Sequence, residues 1–158
     1  MDNGQTTKEI VIATDGSAGA YVAVEQGVWL AKMLDAQVTF VAVARAPFPA
    51  LGEPYYQRAL TADLARARAA ISDAIFAAEE RHVPYETEIL EGSPAEKILE
   101  VARTHGAELI VIGSRGRGAV TGTVLGSVSS DVVHRSDRPV LVARPSARVK
   151  GLALSATA

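Results

Sequence analysis

Five short apolar or β-branched runs alternate along the chain with four stretches whose apolar residues recur at helical spacing. The runs are Ile10–Ala13, Val38–Val43, Tyr85–Leu90, Leu109–Ile112 and Val140–Ala143. The first, second, fourth and fifth are almost wholly apolar, as parallel strands covered on both faces must be. The third alternates apolar and polar residues, which predicts an edge strand with one wet face. The first helix is expected to begin at Ser17, a good N-cap after Asp15-Gly16, with Ala20, Val24, Gly27, Ala31 and Leu34 along its packed stripe. A longer helix is expected from Gln57 to Arg81, with Leu60, Leu64, Ala67, Ile71, Ile75 and Ala78 on one side. The third opens on Ser93-Pro94-Ala95-Glu96, the pattern of a capping box with proline at the first helical position, and ends at His105-Gly106. The fourth begins around Gly126-Ser127 and runs to Ser136.

This alternation implies an α/β fold, a single-domain open parallel sheet of five strands with four helices, doubly wound by right-handed crossovers. Spacing alone leaves the strand order open. Arg45 to Tyr56, with three prolines, is a long connection placed to lie across a ligand. The tail from Pro145 to Ala158 lacks periodicity and is expected to be flexible.

The length of 158 residues suits one domain with a sizeable core. A net charge of −2 argues against nucleic acid as the main partner. With no cysteine, disulfides, thiolate metal sites and cysteine nucleophiles are excluded. Met1 to Glu9 is polar and unlike a secretory signal, and no apolar run is long enough to span a bilayer. The expectation is a cytoplasmic protein without membrane contact.

Open α/β sheets bind ligands beyond the carboxyl ends of their strands. Three segments deliver polar or flexible residues there: Thr14-Asp15-Gly16-Ser17, Ala44-Arg45, and the glycine-rich stretch from Gly113 to Ser127. In the last, a strand runs into a glycine-rich loop that opens a helix, an arrangement suited to phosphate. Gly113 would let the backbone approach a ribose, Gly116 and Gly126 would expose amides, and Ser127 and Ser129 would offer amides and hydroxyls. The plainer reading makes these glycines turn and cap residues. Asp15 is suited to accept hydrogen bonds from an adenine amino group or ribose hydroxyls; equally, it suits an Asx-turn ahead of the first helix. Arg115 and Arg117 are placed to neutralise phosphate, although a solvated loop arginine is the commoner case.

No Gly-Lys-Ser/Thr follows the loop, so it is not a P-loop, and the first turn is not a dinucleotide-binding GxGxxG. His82, His105 and His134 fall away from the strand ends, and no HExxH or GxSxG occurs, so no catalytic residue is named. Glu86 and Glu88 share the wet face of the edge strand, and Trp29 reads as a helix packing residue.

The pattern Gly113-x2-Gly116-x9-Gly126-Ser127 resembles the ATP-binding motif of the universal stress protein family. The likeness extends from Lys8 to Arg144 and takes in Ile-Val-Ile-Ala-Thr-Asp-Gly-Ser at the start, Glu91-Gly-Ser-Pro-Ala-Glu-Lys-Ile in the middle and Arg138-Pro-Val-Leu-Val at the end. It implies strand order 3-2-1-4-5, a nucleotide-binding domain over 8–144 between flexible termini 1–7 and 145–158, and a homodimer through the 139–143 strand. Position by position, it implies that Asp15 lies at the nucleoside end, Ala13 beside the ribose and the Val43 backbone on adenine. Gly113 matches the ribose-side glycine, and Gly116, Gly126, Ser127 and Ser129 match the phosphate contacts. Position 13 is often proline in that family, but a backbone contact survives Ala13. The implied ligand is ATP or another adenine nucleotide with Mg²⁺ or Mn²⁺, held by a regulatory or protective stress-response module. A slow ATPase or nucleotidyl transferase, a cAMP receptor and a structural dimer without ligand are the alternatives.

Overall fold

Each run becomes a strand; the first, second and fourth are buried on both faces, while the fifth, at an edge of the sheet, is only half-buried. The computed structural model describes residues 8–117 and 125–145; the termini 1–7 and 146–158, expected to be flexible, lie outside them. In chain order the elements are β1 (Lys8–Ala13), α1 (Ala18–Leu34), β2 (Ala36–Ala44), α2 (Tyr55–Glu80), β3 (Tyr85–Glu91), α3 (Pro94–Thr104), β4 (Leu109–Gly113), α4 (Ser127–Arg135) and β5 (Val140–Ala143), with a 3-10 turn at Pro49–Leu51. The five strands form one all-parallel sheet of order β3-β2-β1-β4-β5. The chain reverses direction across the sheet between β1 and β4, which opens a crevice at their carboxyl ends.

Alternation along the strands sorts the core into two layers. Ile10, Ile12, Val38 and Phe40 pack against Ala23, Val24 and Val28 of α1 and Ala67, Ile71 and Ala74 of α2. Val11, Val41, Ile110 and Ile112 face Ile98, Leu99 and Ala102 of α3 and Val132 of α4. Ser17 caps α1 as its chemistry predicts, its Oγ accepting the Ala20 N–H at 3.2 Å. Gly106, with φ +64°, follows α3 in the left-handed conformation.

Several expectations are corrected. Trp29 is 57% exposed. The buried stripe of α1 runs through Ala20, Ala23, Val24, Gly27, Val28 and Ala31, and at 100° per residue Trp29 falls on the far side. Ser93 does not form the capping-box hydrogen bond; it enters α3 at ψ 117°, whereas Ser17, which does cap, has ψ 163°. Of the Arg45–Tyr56 connection, Arg45 and Ala46 line the clefts at the sheet end, and α2 begins at Tyr55.

Glu86 and Glu88 are not merely solvated. His105, at the end of α3, places Nε2 3.2 Å from Glu88 Oε1 and Nδ1 3.6 Å from Glu86 Oε2. Beneath them Thr39, wholly buried, donates its hydroxyl to Glu9 Oε1 at 2.5 Å. Burial pushes the Glu9 carboxyl above its ordinary range, against the opposing pull of the Thr39 hydrogen bond and of His105. A carboxyl with a folded-state pKa above its unfolded value stabilises the fold at low pH, and that contribution is lost as pH rises through the folded pKa. Glu9→Gln is therefore expected to raise the thermal midpoint at pH 7 by about 2 °C or more, an advantage that vanishes below about pH 4. Melting curves across pH check this, and a variant less stable than the parent at pH 7 would refute it.

Candidate functional site

The carboxyl ends of β1, β2 and β4 open onto a cleft of about 820 Å³ of atom-free space, part of it continuous with solvent. Ala13, Asp15, Val43, Gly113, Gly116, Gly126, Ser127 and Ser129 all line it. So do Arg45, Arg115 and Arg117, with Pro94 and Ile98 of α3 forming an apolar wall opposite Val41 and Val43.

Strand register makes the Val43 backbone available. The hydrogen-bonding groups of a strand point alternately to its two neighbours. Val41 turns towards β1, where its carbonyl accepts from Thr14, and Ala44 turns towards β3, where its carbonyl accepts from Gly92. Val43 therefore also faces the β1 side, but β1 ends at Ala13, level with Val41. Its N–H and C=O are directed into the cleft.

Asp15 does what a turn residue does and more. Its Oδ1 accepts the Ser17 N–H at 3.0 Å, closing an Asx-turn, and its Oδ2 accepts the Arg117 N–H at 2.9 Å. Gly116 is what permits this approach, since a Cβ there would lie 2.6 Å from Asp15 Oδ2. Gly113 is likewise demanded by packing: a Cβ would meet Gly19 O at 2.6 Å.

Gly126 is different. Its φ is −70°, and among the described residues a Cβ would find nothing nearer than Arg115 Cα at 3.4 Å, an ordinary contact. It stands at the N-cap of α4, and no side chain among the described residues caps that end. The first helical amides, at Ser127, Val128 and Ser129, have no intrahelical acceptor because the ladder begins with Ser130 N–H to Gly126 O. The amide of Gly126 itself is engaged by Ser114 O at 2.7 Å. The Ser129 hydroxyl is also spoken for, donating to Gly113 O at 2.6 Å, so Ser129 ties α4 to β4 and has only its amide left to donate.

One residue at this end of the sheet is absent from the sequence reading. Asp63, in the first half of α2, accepts the Arg45 N–H at 2.8 Å, Arg117 Nη2 at 3.1 Å and Arg66 Nη1 at 3.2 Å. Burial alone would raise its pKa, yet the Arg45 amide and the two guanidiniums together hold the carboxyl below its usual range. In the sequence, Asp63 looks like half of an exposed i,i+3 pair with Arg66, and no local signal links it to a loop more than fifty residues away.

None of the three histidines lies in the cleft, and among the described residues no three His, Asp or Glu side chains converge as metal ligands. No helix among the described residues is long and apolar enough to cross a membrane.

Comparison with known proteins gives one answer. Residues 6–144 match the model of the universal stress protein family. A universal stress protein of Methanocaldococcus jannaschii is 36% identical over 147 residues, covering 90% of this chain and 85% of its own. One from Thermus aquaticus is 40% identical over 144 residues, covering 87% and 98%. Among solved structures, the universal stress protein UspA from Lactobacillus plantarum superposes with a TM-score of 0.77 at 30% identity, over 87% of this chain and 97% of that one. Two more distant structures share the fold and were solved with nucleotides. One is a universal stress protein in complex with cAMP (TM-score 0.67, 24% identity, 88% and 98% covered). The other is from Archaeoglobus fulgidus in complex with dAMP (TM-score 0.61, 20% identity, 87% and 98% covered).

Proposed function

The chain belongs to the universal stress protein family, and from that premise we propose that its 8–144 domain binds an adenine nucleotide, ATP foremost, as a regulatory or protective module in the cytoplasm. The observation that carries this reading is the amino end of α4, uncapped by any described residue, beside a glycine whose Cβ would meet only ordinary contacts among the described residues. Amides without acceptors at a helix N-terminus favour anions through both hydrogen bonding and the helix dipole. The phosphates are assigned to Gly116, Gly126, Ser127 and the Ser129 amide, and the ribose to Asp15, Ala13 and Gly113. The cAMP and dAMP complexes of related folds support an adenine nucleotide in this cleft.

The base is assigned to Val43. A strand residue offers one acceptor and one donor side by side, matching the N6 amino donor and N1 acceptor of adenine. Guanine carries the reverse pattern on that edge. A divalent cation, Mg²⁺ or Mn²⁺, would be held chiefly by the phosphates and water, with Asp15 the nearest carboxylate the cleft offers.

The test is calorimetric titration of nucleotide-stripped protein with ATP, ADP, AMP, cAMP and GTP. ATP is expected to bind, and GTP to bind about tenfold more weakly or worse, since its base edge would leave the Val43 groups unpaired. Equal affinity for ATP and GTP would remove the base assignment. cAMP binding without ATP binding would turn the reading to a cyclic-nucleotide receptor, and silence from all five to a structural dimer.

We also propose a homodimer through the 139–143 strand. β5 is an edge strand whose Val140, Leu141 and Val142 are only half-buried, and half-buried Val22 and Leu30 of α1 extend the apolar surface on one side of it. A bare apolar edge is normally covered. Leu141→Asp is expected to halve the molecular mass measured by light scattering, and a monomeric parent would exclude this interface.

A further inference from the structure

Asp63 is a partly buried carboxylate, its side chain 13% exposed, and it lies outside the glycine motif on a helix to which nucleotide binding assigns no part. What it touches is nevertheless the rim of the cleft. One oxygen holds the backbone N–H of Arg45, the first residue beyond β2, and the other holds the guanidinium of Arg117 in the glycine loop. Arg117 in turn donates its own backbone N–H to Asp15 at the end of β1. Asp15, Arg117, Asp63 and Arg45 thus form a chain of hydrogen bonds from β1 through the loop and α2 to β2. Three of its four members line the cleft. α2 reaches this far because it is 26 residues long, about 39 Å at 1.5 Å per residue. Its lower half carries the buried residues from Ala67 onwards, while the turns around Asp63 overhang the strand ends.

We propose that Asp63 is a positioning residue of the nucleotide site, clamping the β2 rim to the glycine loop through Arg45 and Arg117 so that the nucleoside end of the cleft is walled by an ion pair. This rests on the adenine-nucleotide reading given above. The Asp63–Arg66 pair contributes little because its guanidinium is solvated and mobile. The clamp differs in two respects. Its guanidinium is less exposed and belongs to a residue already tied to Asp15 through its backbone N–H, and Asp63 also holds a backbone amide that cannot swing away. A ligand leaving past this wall must part Arg117 from Asp63 or pull the loop from Asp15. The clamp therefore acts on how long a nucleotide stays.

The experiment is stopped-flow release of a fluorescent ATP analogue, chased by excess ATP, from the parent, Asp63→Asn, Arg117→Gln, the double variant and Asp63→Glu. Each of Asp63→Asn and Arg117→Gln is expected to speed release about fivefold, and the double variant to release no faster than either, as residues sharing one interaction must. Salt on the order of 0.5 M should speed the parent and leave the variants nearly unchanged, because it screens the pair they lack. Asp63→Glu, which keeps the charge, should recover part of the loss. Arg117→Gln touches no helix packing, so it reports even if Asp63→Asn proves unstable. Single variants that release at the parental rate, or effects that multiply in the double variant, would overturn the clamp while leaving nucleotide binding in place. A parent that binds no ATP in calorimetry would overturn both.

Discussion

Gly126→Val is expected to lower affinity for ATP about a hundredfold, close to 2.7 kcal/mol, while moving the thermal midpoint by only about 2–4 °C. The two halves of that expectation have separate causes. For the fold, position 126 is undemanding: its backbone lies at φ −70° and ψ 163°, open to any L-residue, and a Cβ meets only ordinary contacts. What is lost is the modest advantage of glycine over an apolar side chain at an N-cap, about 1 kcal/mol. For a phosphate the same position is decisive. The nearest described atoms to that Cβ are Arg115 Cα, Gly116 N and Ser114 O, so the valine side chain is built against the Ser114–Gly116 segment, beside the position assigned to the phosphates. Calorimetric titration with ATP alongside a melting curve checks both halves. Parental affinity in the valine variant would mean that phosphate does not approach α4 there. Gly126→Ala, adding one methyl at ordinary contact distance, is the milder version.

Most of this architecture was legible because it depends on local pattern. Three apolar runs announced strands buried on both faces, and the alternation in Tyr85–Leu90 announced one edge, but the fifth run, equally apolar, is a half-buried strand at the other edge. Ser17 could be read as a cap because its partner lies three residues on. The cleft was legible for a related reason: glycine spacing is local, and strand ends are marked where apolar runs stop. Strand order was supplied by family resemblance, since no spacing encodes which strands pair. What could not be read depends on distance or on angle. Trp29 is apolar but points away from the sheet, and only the full helical phase of α1 shows it. His105 meets Glu86 and Glu88 only once α3 packs beside β3. Asp63 joins the cleft because α2 overruns the sheet by several turns, and overhang is a property of the assembled layers.

Gly113→Ala is expected to behave oppositely to Gly126→Val, destabilising the protein by about 3 kcal/mol and lowering the midpoint by about 6–12 °C. The atoms that a Cβ at 113 would meet are Gly19 O at 2.6 Å, Gly19 C at 2.7 Å and Ala20 N at 3.0 Å. All three are backbone, so no side chain can rotate aside, and the first turn of α1 must lift from the end of β4. Gly19 faces the same contact from the other side, where its own Cβ would run into the Arg115 carbonyl. Two glycines thus set the closest approach of α1 to the sheet. The strain would not stay local, because that first turn is bonded through Ser17 to Asp15, and Asp15 holds Arg117. Affinity for nucleotide should therefore fall together with stability in Gly113→Ala, whereas in Gly126→Val it falls alone. A Gly113→Ala variant that melts within about 2 °C of the parent would show that α1 yields without cost, and the contrast between the two glycines would no longer separate scaffold from site.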